Sequence, residues 1–294
     1  MLADDTFRTT LRTAWHLQPD GFTPLSGGMT STTVSVSAGG LHYVAKAVRP
    51  AQKAQFEAGL SAAEHLSRHG VDAGAPLRTA DGALTVPVGD HVLALLHHVP
   101  GRELEADDPL DQQWWGDRLG AVHRVLREFR HPGLPAWHWV RPDAPHLDVE
   151  DWVRPAVAAA VNTLTKLQVT DRLTYGALHG DPCHGAFLLD PGTGRIGVID
   201  WGSAGAGPLM YDVASAVMYA GGSDRARELL SAYAATGVVP RAEIEASLDV
   251  LLRFRWAVQA DWFAARIATG DLTGVADQSD NRRGLHDARD ALLG

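Results

Sequence analysis

The sequence predicts an α+β protein, with a small antiparallel β-sheet and one helix in an N-terminal lobe and a mainly helical C-terminal lobe. Alternating apolar residues between 20 and 100 predict short strands around a helix, in the order β-β-α-β-β. From about residue 105 onward the pattern changes to helices, the first of which has an acidic start and a basic end that suit the helix dipole. The length of 294 residues suits one domain or two lobes. We therefore expect an N-terminal lobe over 1–100 and a C-terminal lobe over 101–294.

The first predicted elements are a short helix over residues 5–17 and a hairpin within residues 22–48. In the hairpin, TTVSVS and LHYVAKAV alternate on either side of Gly39-Gly40, a pair typical of a tight turn. Residues 51–69 then predict a helix, because apolar residues such as Phe56 and Leu60 lie near helical spacing.

Two more strands complete the predicted sheet, ALTVPV (83–88) and HVLALLHHV (91–99). The second strand runs into Pro100-Gly101, where we place the linker between the lobes. The remaining helices are predicted over 107–129, 148–170 and 208–294, with breaks in the last range at Gly221-Gly222, 237–240 and Gly270.

Composition and charge exclude several classes of protein. The formal net charge of -9 argues against nucleic acid as the main partner, because phosphate backbones need a basic face. The single cysteine, Cys183, excludes an internal disulfide and a multi-cysteine metal site. We expect no signal peptide and no membrane span. These features predict a protein of the reducing cytoplasm.

A glycine-rich segment and a lysine in the predicted sheet suggest a phosphate-binding site. SGGMTST (26–32) offers the backbone amides of Ser26, Gly27 and Gly28 to phosphates, although a plain hairpin turn explains the segment equally well. Lys46 follows in YVAKA, where it either reaches solvent or grips the α- and β-phosphates of a nucleotide. A carboxylate on the next helix would orient that lysine, and we prefer Glu57 to Glu64.

The segment HVLALLHHVPG leads out of the sheet toward the linker. An extended segment here leaves backbone N–H and C=O groups for an adenine edge, and we assign these contacts to His97 and Val99. The imidazole rings of His97 and His98 are expected to be plain hinge side chains.

Two carboxylates flank a short predicted hairpin in LHGDPCHGAFLLDPGTGRIGVIDWG (178–202). FLLD and IGVID around PGTGR would bring Asp181 and Asp200 to neighbouring strand ends. Phosphoryl transfer needs such a pair, since one carboxylate orients the acceptor hydroxyl and another holds the Mg²⁺ that bridges phosphate oxygens. Helix caps are the structural alternative for an isolated pair.

HGDPCHGAFLLD, VIDWG and GPLMYDVAS together resemble the aminoglycoside phosphotransferase and choline kinase-like family. The resemblance covers nearly the whole chain. It implies a protein-kinase-like two-lobe fold, ATP or GTP as co-substrate and Mg²⁺ as cofactor. It also implies Asp181 as catalytic base, Asp200 as Mg²⁺ ligand and Lys46 with Glu57 as the phosphate-orienting pair. Asp212 resembles the structural acid that follows the metal motif.

The sequence departs from the family at Ala186, where an asparagine usually binds a second Mg²⁺. Alanine carries no ligand atom. Either His184 or water replaces the asparagine, or one Mg²⁺ suffices, or the chain binds nucleotide without transferring phosphate. Because Mg²⁺ prefers oxygen ligands, we expect His184 to form a hydrogen bond or contact the substrate instead.

The acceptor is expected to be a hydroxyl-bearing small molecule. Asp261 and Trp262 lie in RFRWAVQADWFAARI (253–267), and such residues bind ammonium groups and pack on sugar rings or cations. An ordinary helical core rich in tryptophan is the alternative. The pattern favours an aminoglycoside-like antibiotic, aminosugar or amino alcohol, and leaves a macrolide or nucleoside antibiotic open. A protein kinase is disfavoured, because no Ala-Pro-Glu segment follows IDWG.

Overall fold

The computed structural model describes residues 5–25, 31–137 and 140–294. The chain forms two compact units. The first comprises Met1–Glu103, Phe129–Pro135 and Gly185–Gly205, and the second comprises Leu104–Glu128, Ala136–His184 and Ala206–Gly294. The stretch that contains Asp200, which the sequence-based boundary near residue 100 assigns to the C-terminal lobe, thus packs within the first unit. The boundary itself stays a prediction.

A six-stranded antiparallel sheet forms the centre of the first unit. Its strands run in the order β1-β2-β3-β6-β4, with β5 also paired to β6. Their bounds are β1 Gly21–Leu25, β2 Thr32–Ala38, β3 Leu41–Val48, β4 Pro76–Leu77, β5 Val86–Val88 and β6 His91–His97. The predicted hairpin of β2 and β3 is confirmed. Gly39 and Gly40 turn it with φ angles of 58° and 78°, which glycine adopts without strain.

One helix packs on each face of this sheet, because its strands alternate apolar residues between the two faces. Helix α1 (Asp5–Trp15) buries Phe7, Leu11 and Trp15 against a cluster that includes Ala45 of β3. Helix α2 (Lys53–Arg68) buries Phe56 and Leu60 against a second cluster that includes Val48 and Ala94. Lys46 alternates with Ala45 and therefore lies on the face that α2 covers.

A second, three-stranded sheet belongs to the same unit. It joins β7 (Arg102–Glu103), β9 (Phe187–Leu189) and β10 (Ile196–Val198) in the order β10-β9-β7. The predicted hairpin of FLLD and IGVID is confirmed as β9 and β10. The pairing of β9 with β7 explains why this hairpin packs with the first unit.

Helices dominate the second unit. Two short strands, β8 (Tyr175–Leu178) and β11 (Gly205–Pro208), pair with each other. The helices are α3 Pro109–Leu126, α4 Val153–Thr170, α5 Met210–Tyr219, α6 Arg227–Ala235, α7 Arg241–Thr269 and α8 Gln278–Leu293. The long α7 packs against α4, α5 and α8, while α3 packs against α6. Across the described ranges, we find no helix with the length and apolar character of a membrane span.

Candidate active site

Lys46 and Asp200 form an ion pair within the first unit. Lys46 lies on the central strand β3, opposite Ala94 of β6, and its side chain is only 12% exposed. The Asp200 side chain is 64% exposed. The pair joins residues 154 positions apart in sequence. The sheet thus fixes an ammonium group beside a carboxylate that is open to solvent.

The backbone around Asp200 is held by close packing. Asp200 has φ 68° and ψ 57°, a left-handed conformation that few residues other than glycine, asparagine and aspartate adopt. The next residue, Trp201, lies directly over α2, where a Cβ atom on Gly59 would come within 2.1 Å of its carbonyl oxygen. The amide of Gln55 donates to the Ala204 carbonyl at 3.2 Å. Gly59 therefore permits the contact that positions Asp200, and sequence analysis missed it.

Glu57 takes partners other than Lys46. Its Oε1 accepts a hydrogen bond from Thr85 at 2.6 Å and lies 3.8 Å from Nζ of Lys53. Glu64, the rejected alternative, pairs with Arg78 and Arg68. The structure brings Lys46 to Asp200 and not to Glu57, so the orienting role of Glu57 stays a prediction.

The predicted adenine contacts of His97 and Val99, at the end of β6 and just after it, stay a prediction. The His97 amide donates to the Ala75 carbonyl at 2.9 Å, so this predicted donor already has a partner within the first unit. The side chain of Val99 is buried, and a Cβ atom on Gly197 would approach its Cγ1 to 2.3 Å. This close approach fixes the segment against β10. Ser26, Gly27 and Gly28 lie outside the described residues.

Asp181 lies in the second unit, in a loop that follows β8. Gly180 turns this loop with φ 86°. The buried carboxylate of Asp212, at the start of α5, accepts hydrogen bonds from the amides of His179 at 2.7 Å and Gly180 at 2.9 Å. The same carboxylate lies 3.1 Å from His123 Nε2. Asp212 therefore holds the loop and is the structural acid that its motif implies.

One oxygen of the Asp181 carboxylate has two partners that sequence analysis missed. Oδ1 accepts from the Tyr219 hydroxyl at 2.5 Å and from Arg255 Nη2 at 3.3 Å. Burial, together with Asp181, raises the pKa of Tyr219 above its usual range, so its hydroxyl remains a donor. Burial alone would lower the pKa of Arg255, but nearby Tyr211, Tyr219 and Asp181 raise it overall. In the sequence, Arg255 stands among apolar residues in RFRWAV, and a charged residue in such a pattern could have indicated a buried ionic partner.

Ala186, which stands where the family usually has asparagine, and nearby His184 have different environments. Ala186 is 2% exposed, and its carbonyl accepts from the Ile199 amide at 2.8 Å. His184 is half-buried, with its ring edge against Trp115 at 6.0 Å between centroids. Its Nδ1 atom is buried and has no hydrogen-bond partner. The predicted hydrogen-bonding role of His184 therefore stays a prediction.

Asp261 and Trp262, the predicted substrate residues, have partners within the second unit. Asp261 accepts from His146 at 2.7 Å. The guanidinium of Arg266 lies 4.7 Å from the centre of the Trp262 ring, in cation–π distance. A substrate ammonium group would have to displace or share these partners, so their substrate role is untested.

Asp200 could serve as one ligand of a magnesium ion whose other ligands are phosphate oxygens and water. Across the described part of the chain, no three His, Cys, Asp or Glu residues cluster as metal ligands. Mg²⁺ commonly takes only one or two protein carboxylates, with phosphate oxygens and water completing its octahedron. The exposed carboxylate of Asp200 is chemically suited to that role, and Lys46 beside it suits a phosphate.

Sequence comparison identifies the family. The model of the phosphotransferase enzyme family, APH, matches residues 21–246. The chain belongs to this family. An uncharacterized protein of Deinococcus radiodurans is 28% identical over 278 residues, covering 86% of this chain and 79% of that protein. The predicted family is confirmed.

Solved structures of several small-molecule kinases share the fold. An amicoumacin kinase bound to AMP-PNP, Ca²⁺ and amicoumacin has a TM-score of 0.75 at 18% identity, covering 98% of this chain and 94% of its own. A microcompartment-associated aminopropanol kinase also has a TM-score of 0.75, at 20% identity, covering 97% of this chain and 94% of its own. A choline/ethanolamine kinase family protein from Mesorhizobium loti has 0.69 at 16% identity, covering 100% and 95%. These matches confirm the predicted α+β kinase-like fold.

Proposed function

We propose that this member of the phosphotransferase family transfers the γ-phosphate of ATP or GTP to a hydroxyl group of a small molecule. The observation that carries the proposal is the ion pair of Lys46 and Asp200 within the first unit. The ion pair supports the proposal because an ammonium group suits a phosphate and an exposed carboxylate suits Mg²⁺. A purely structural salt bridge would not need the Asp200 side chain to be 64% exposed, or its backbone to be left-handed.

Each predicted residue has a role in the proposed reaction. Lys46 binds the α- and β-phosphates, while the Ser26, Gly27 and Gly28 amides cover them. Glu57 would orient Lys46 after exchanging its present partners, Thr85 and Lys53. The backbone of His97 and Val99 receives the base. Asp200 holds Mg²⁺, which when bound would neutralise charge on the phosphate oxygens.

Asp181 is the proposed catalytic base. The acceptor oxygen forms a bond to the γ-phosphorus as the bond from that phosphorus to the bridging oxygen breaks. ADP or GDP leaves with the electron pair, and the acceptor proton passes to the Asp181 carboxylate. Because phosphoryl transfer has a loose transition state, orientation of the hydroxyl contributes more than base strength.

We further propose an aminoglycoside-like antibiotic, aminosugar or amino alcohol as the acceptor. The net charge of -9 favours a cationic substrate. The related structures named above include kinases whose names refer to amicoumacin and to aminopropanol. Asp261, Trp262 and His184 are the proposed substrate contacts, and the cytoplasm is the proposed location.

Ala186 favours a second candidate function, nucleotide binding without turnover. Its side chain is buried and offers no ligand atom where the family asparagine usually stands. This candidate predicts the same Mg²⁺-dependent nucleotide binding as the first and differs only in the absence of product.

Calorimetric titration with ATP and with GTP, in the presence and absence of Mg²⁺, tests both candidates. Mg²⁺-dependent binding is expected. Release of ADP or GDP with spectinomycin, hygromycin B, 1-amino-2-propanol, choline or glucosamine then separates a kinase from a binding protein. Binding of neither nucleotide would contradict both candidates.

A further inference from the structure

The surroundings of Asp181 suggest a further role for two residues of the second unit. Both hydrogen bonds described for the Asp181 carboxylate end on the same oxygen, Oδ1. The side chain remains 44% exposed, whereas that of Arg255 is 10% exposed. One edge of the carboxylate is therefore fixed by the protein interior, while the group as a whole still reaches solvent.

The two donors are themselves fixed. Arg255 Nη2 lies 3.3 Å from the Tyr219 hydroxyl oxygen, and its guanidinium carbon lies 5.7 Å from the centre of the Tyr219 ring. Arg255 Nε donates at 3.1 Å to Ser215 Oγ, which in turn donates to the Tyr211 carbonyl. Ser215 is completely buried on α5. The guanidinium is thus held at both ends, with one face over an aromatic ring.

Donor and acceptor directions in this network follow from chemistry. An arginine side chain can only donate, and an ionised carboxylate can only accept. The Tyr219 hydroxyl accepts from Arg255 and donates its own hydrogen to Asp181. A chain of this kind polarises each bond in turn and restricts rotation of the carboxylate.

We propose that Tyr219 and Arg255 are positioning residues that hold Oδ1 of Asp181 and thereby direct Oδ2 toward the acceptor hydroxyl. This inference rests on the proposed role of Asp181 as catalytic base. It assigns the proton of the acceptor to Oδ2, while the phosphorus–oxygen bonds form and break as described above. Neither residue needs to touch substrate or nucleotide.

The test compares Tyr219→Phe and Arg255→Lys with the wild-type protein, each alone and combined with Asp181→Asn. Turnover is measured as Mg²⁺-dependent ADP or GDP release, with the acceptor that gives the fastest rate or with water. Tyr219→Phe keeps the ring and removes the hydroxyl. We expect kcat to fall about 10- to 100-fold, as misplaced reacting groups do, with nucleotide KM within about twofold of wild type.

Two comparisons separate positioning from a structural role. Arg255→Lys still donates, so it should retain more turnover than Arg255→Met, and Tyr219→Phe should keep the wild-type melting temperature. In the Asp181→Asn background, Tyr219→Phe should cause no further loss, because residues acting through one group are not additive. Tyr175→Phe is the matched control, since that exposed hydroxyl accepts only from Gln168 among its described contacts.

The results distinguish failure of the positioning inference from failure of the proposed function. If Asp181→Asn abolishes turnover while Tyr219→Phe leaves kcat unchanged, the inference fails and the proposed function stands. Additive losses in the double variant also overturn the inference. If Asp181→Asn retains turnover, or if the wild type releases no product with any acceptor or with water, the proposed catalytic function fails and the inference fails with it.

Discussion

Asp200 and Asp181, the two carboxylates of the proposed reaction, lie in different units and are held in place by different means. Around Asp200, the backbone is fixed by close approach, with Gly59 against Trp201 and Gly197 against Val99. Around Asp181, buried polar groups take this role: Asp212 accepts from two loop amides, and Tyr219 and Arg255 hold the Asp181 carboxylate. Close packing resists small changes of volume, whereas a buried polar network depends on every partner.

The largest expected effect comes from the carboxylates themselves. Asp181→Asn should reduce turnover about 10²- to 10⁴-fold, the usual contribution of general base catalysis, and keep nucleotide binding. Asp200→Asn should lose the Mg²⁺-dependent part of nucleotide binding as well, because it removes the proposed metal ligand. Calorimetry with and without Mg²⁺, alongside product release, measures both quantities. Equal nucleotide affinity for the two variants would contradict the division of roles.

The second-largest effect is expected in the polar network of Asp212 and the loop that carries Asp181. Asp212→Ala removes the acceptor of two loop amides and the partner of buried His123. Because buried donors left without acceptors are expensive, we expect the free energy of unfolding to fall by about 3–5 kcal/mol. Urea unfolding measures this change. Asp224→Ala is the control, since that carboxylate is almost fully exposed, and its effect should stay within about 0.5 kcal/mol.

Local signals predicted α2, through its apolar spacing, and the β2–β3 hairpin, through the Gly39-Gly40 turn. The short strands β1, β4, β7, β8 and β11 were not predicted, and the strand expected over 83–88 forms only at Val86–Val88. The contacts within the candidate site were less predictable. Motifs placed Asp181 and Asp200, but the pairing of Lys46 with Asp200 and of Asp181 with Arg255 joins residues 154 and 74 positions apart. Such pairs depend on tertiary packing, which one sequence does not specify residue by residue.

A smaller effect tests close packing around Asp200. Gly59→Ala introduces a Cβ atom that would lie 2.1 Å from the Trp201 carbonyl oxygen, so α2 or the 201–203 turn must shift. Overpacking of this kind lowers stability by about 1–3 kcal/mol, and we expect weaker Mg²⁺-dependent nucleotide binding. Gly192→Ala is the control, because its new Cβ would meet only Asp190 Oδ1 at 3.3 Å. Unchanged nucleotide affinity in Gly59→Ala would show that the contact does not position Asp200.

The smallest effect is expected at Ala186, whose carbonyl accepts from the amide of Ile199, the residue before Asp200. Ala186→Asn restores the amide that the family usually carries, and we expect Mg²⁺-supported turnover to stay the same or rise. The site is buried, so the larger side chain should lower the free energy of unfolding by about 1 kcal/mol. Ala186→Leu has the same branched shape without the amide and separates volume from chemistry. If Ala186→Asn folds but loses more turnover than Ala186→Leu, the amide itself is harmful there, and the loop has adapted to another arrangement of ligands.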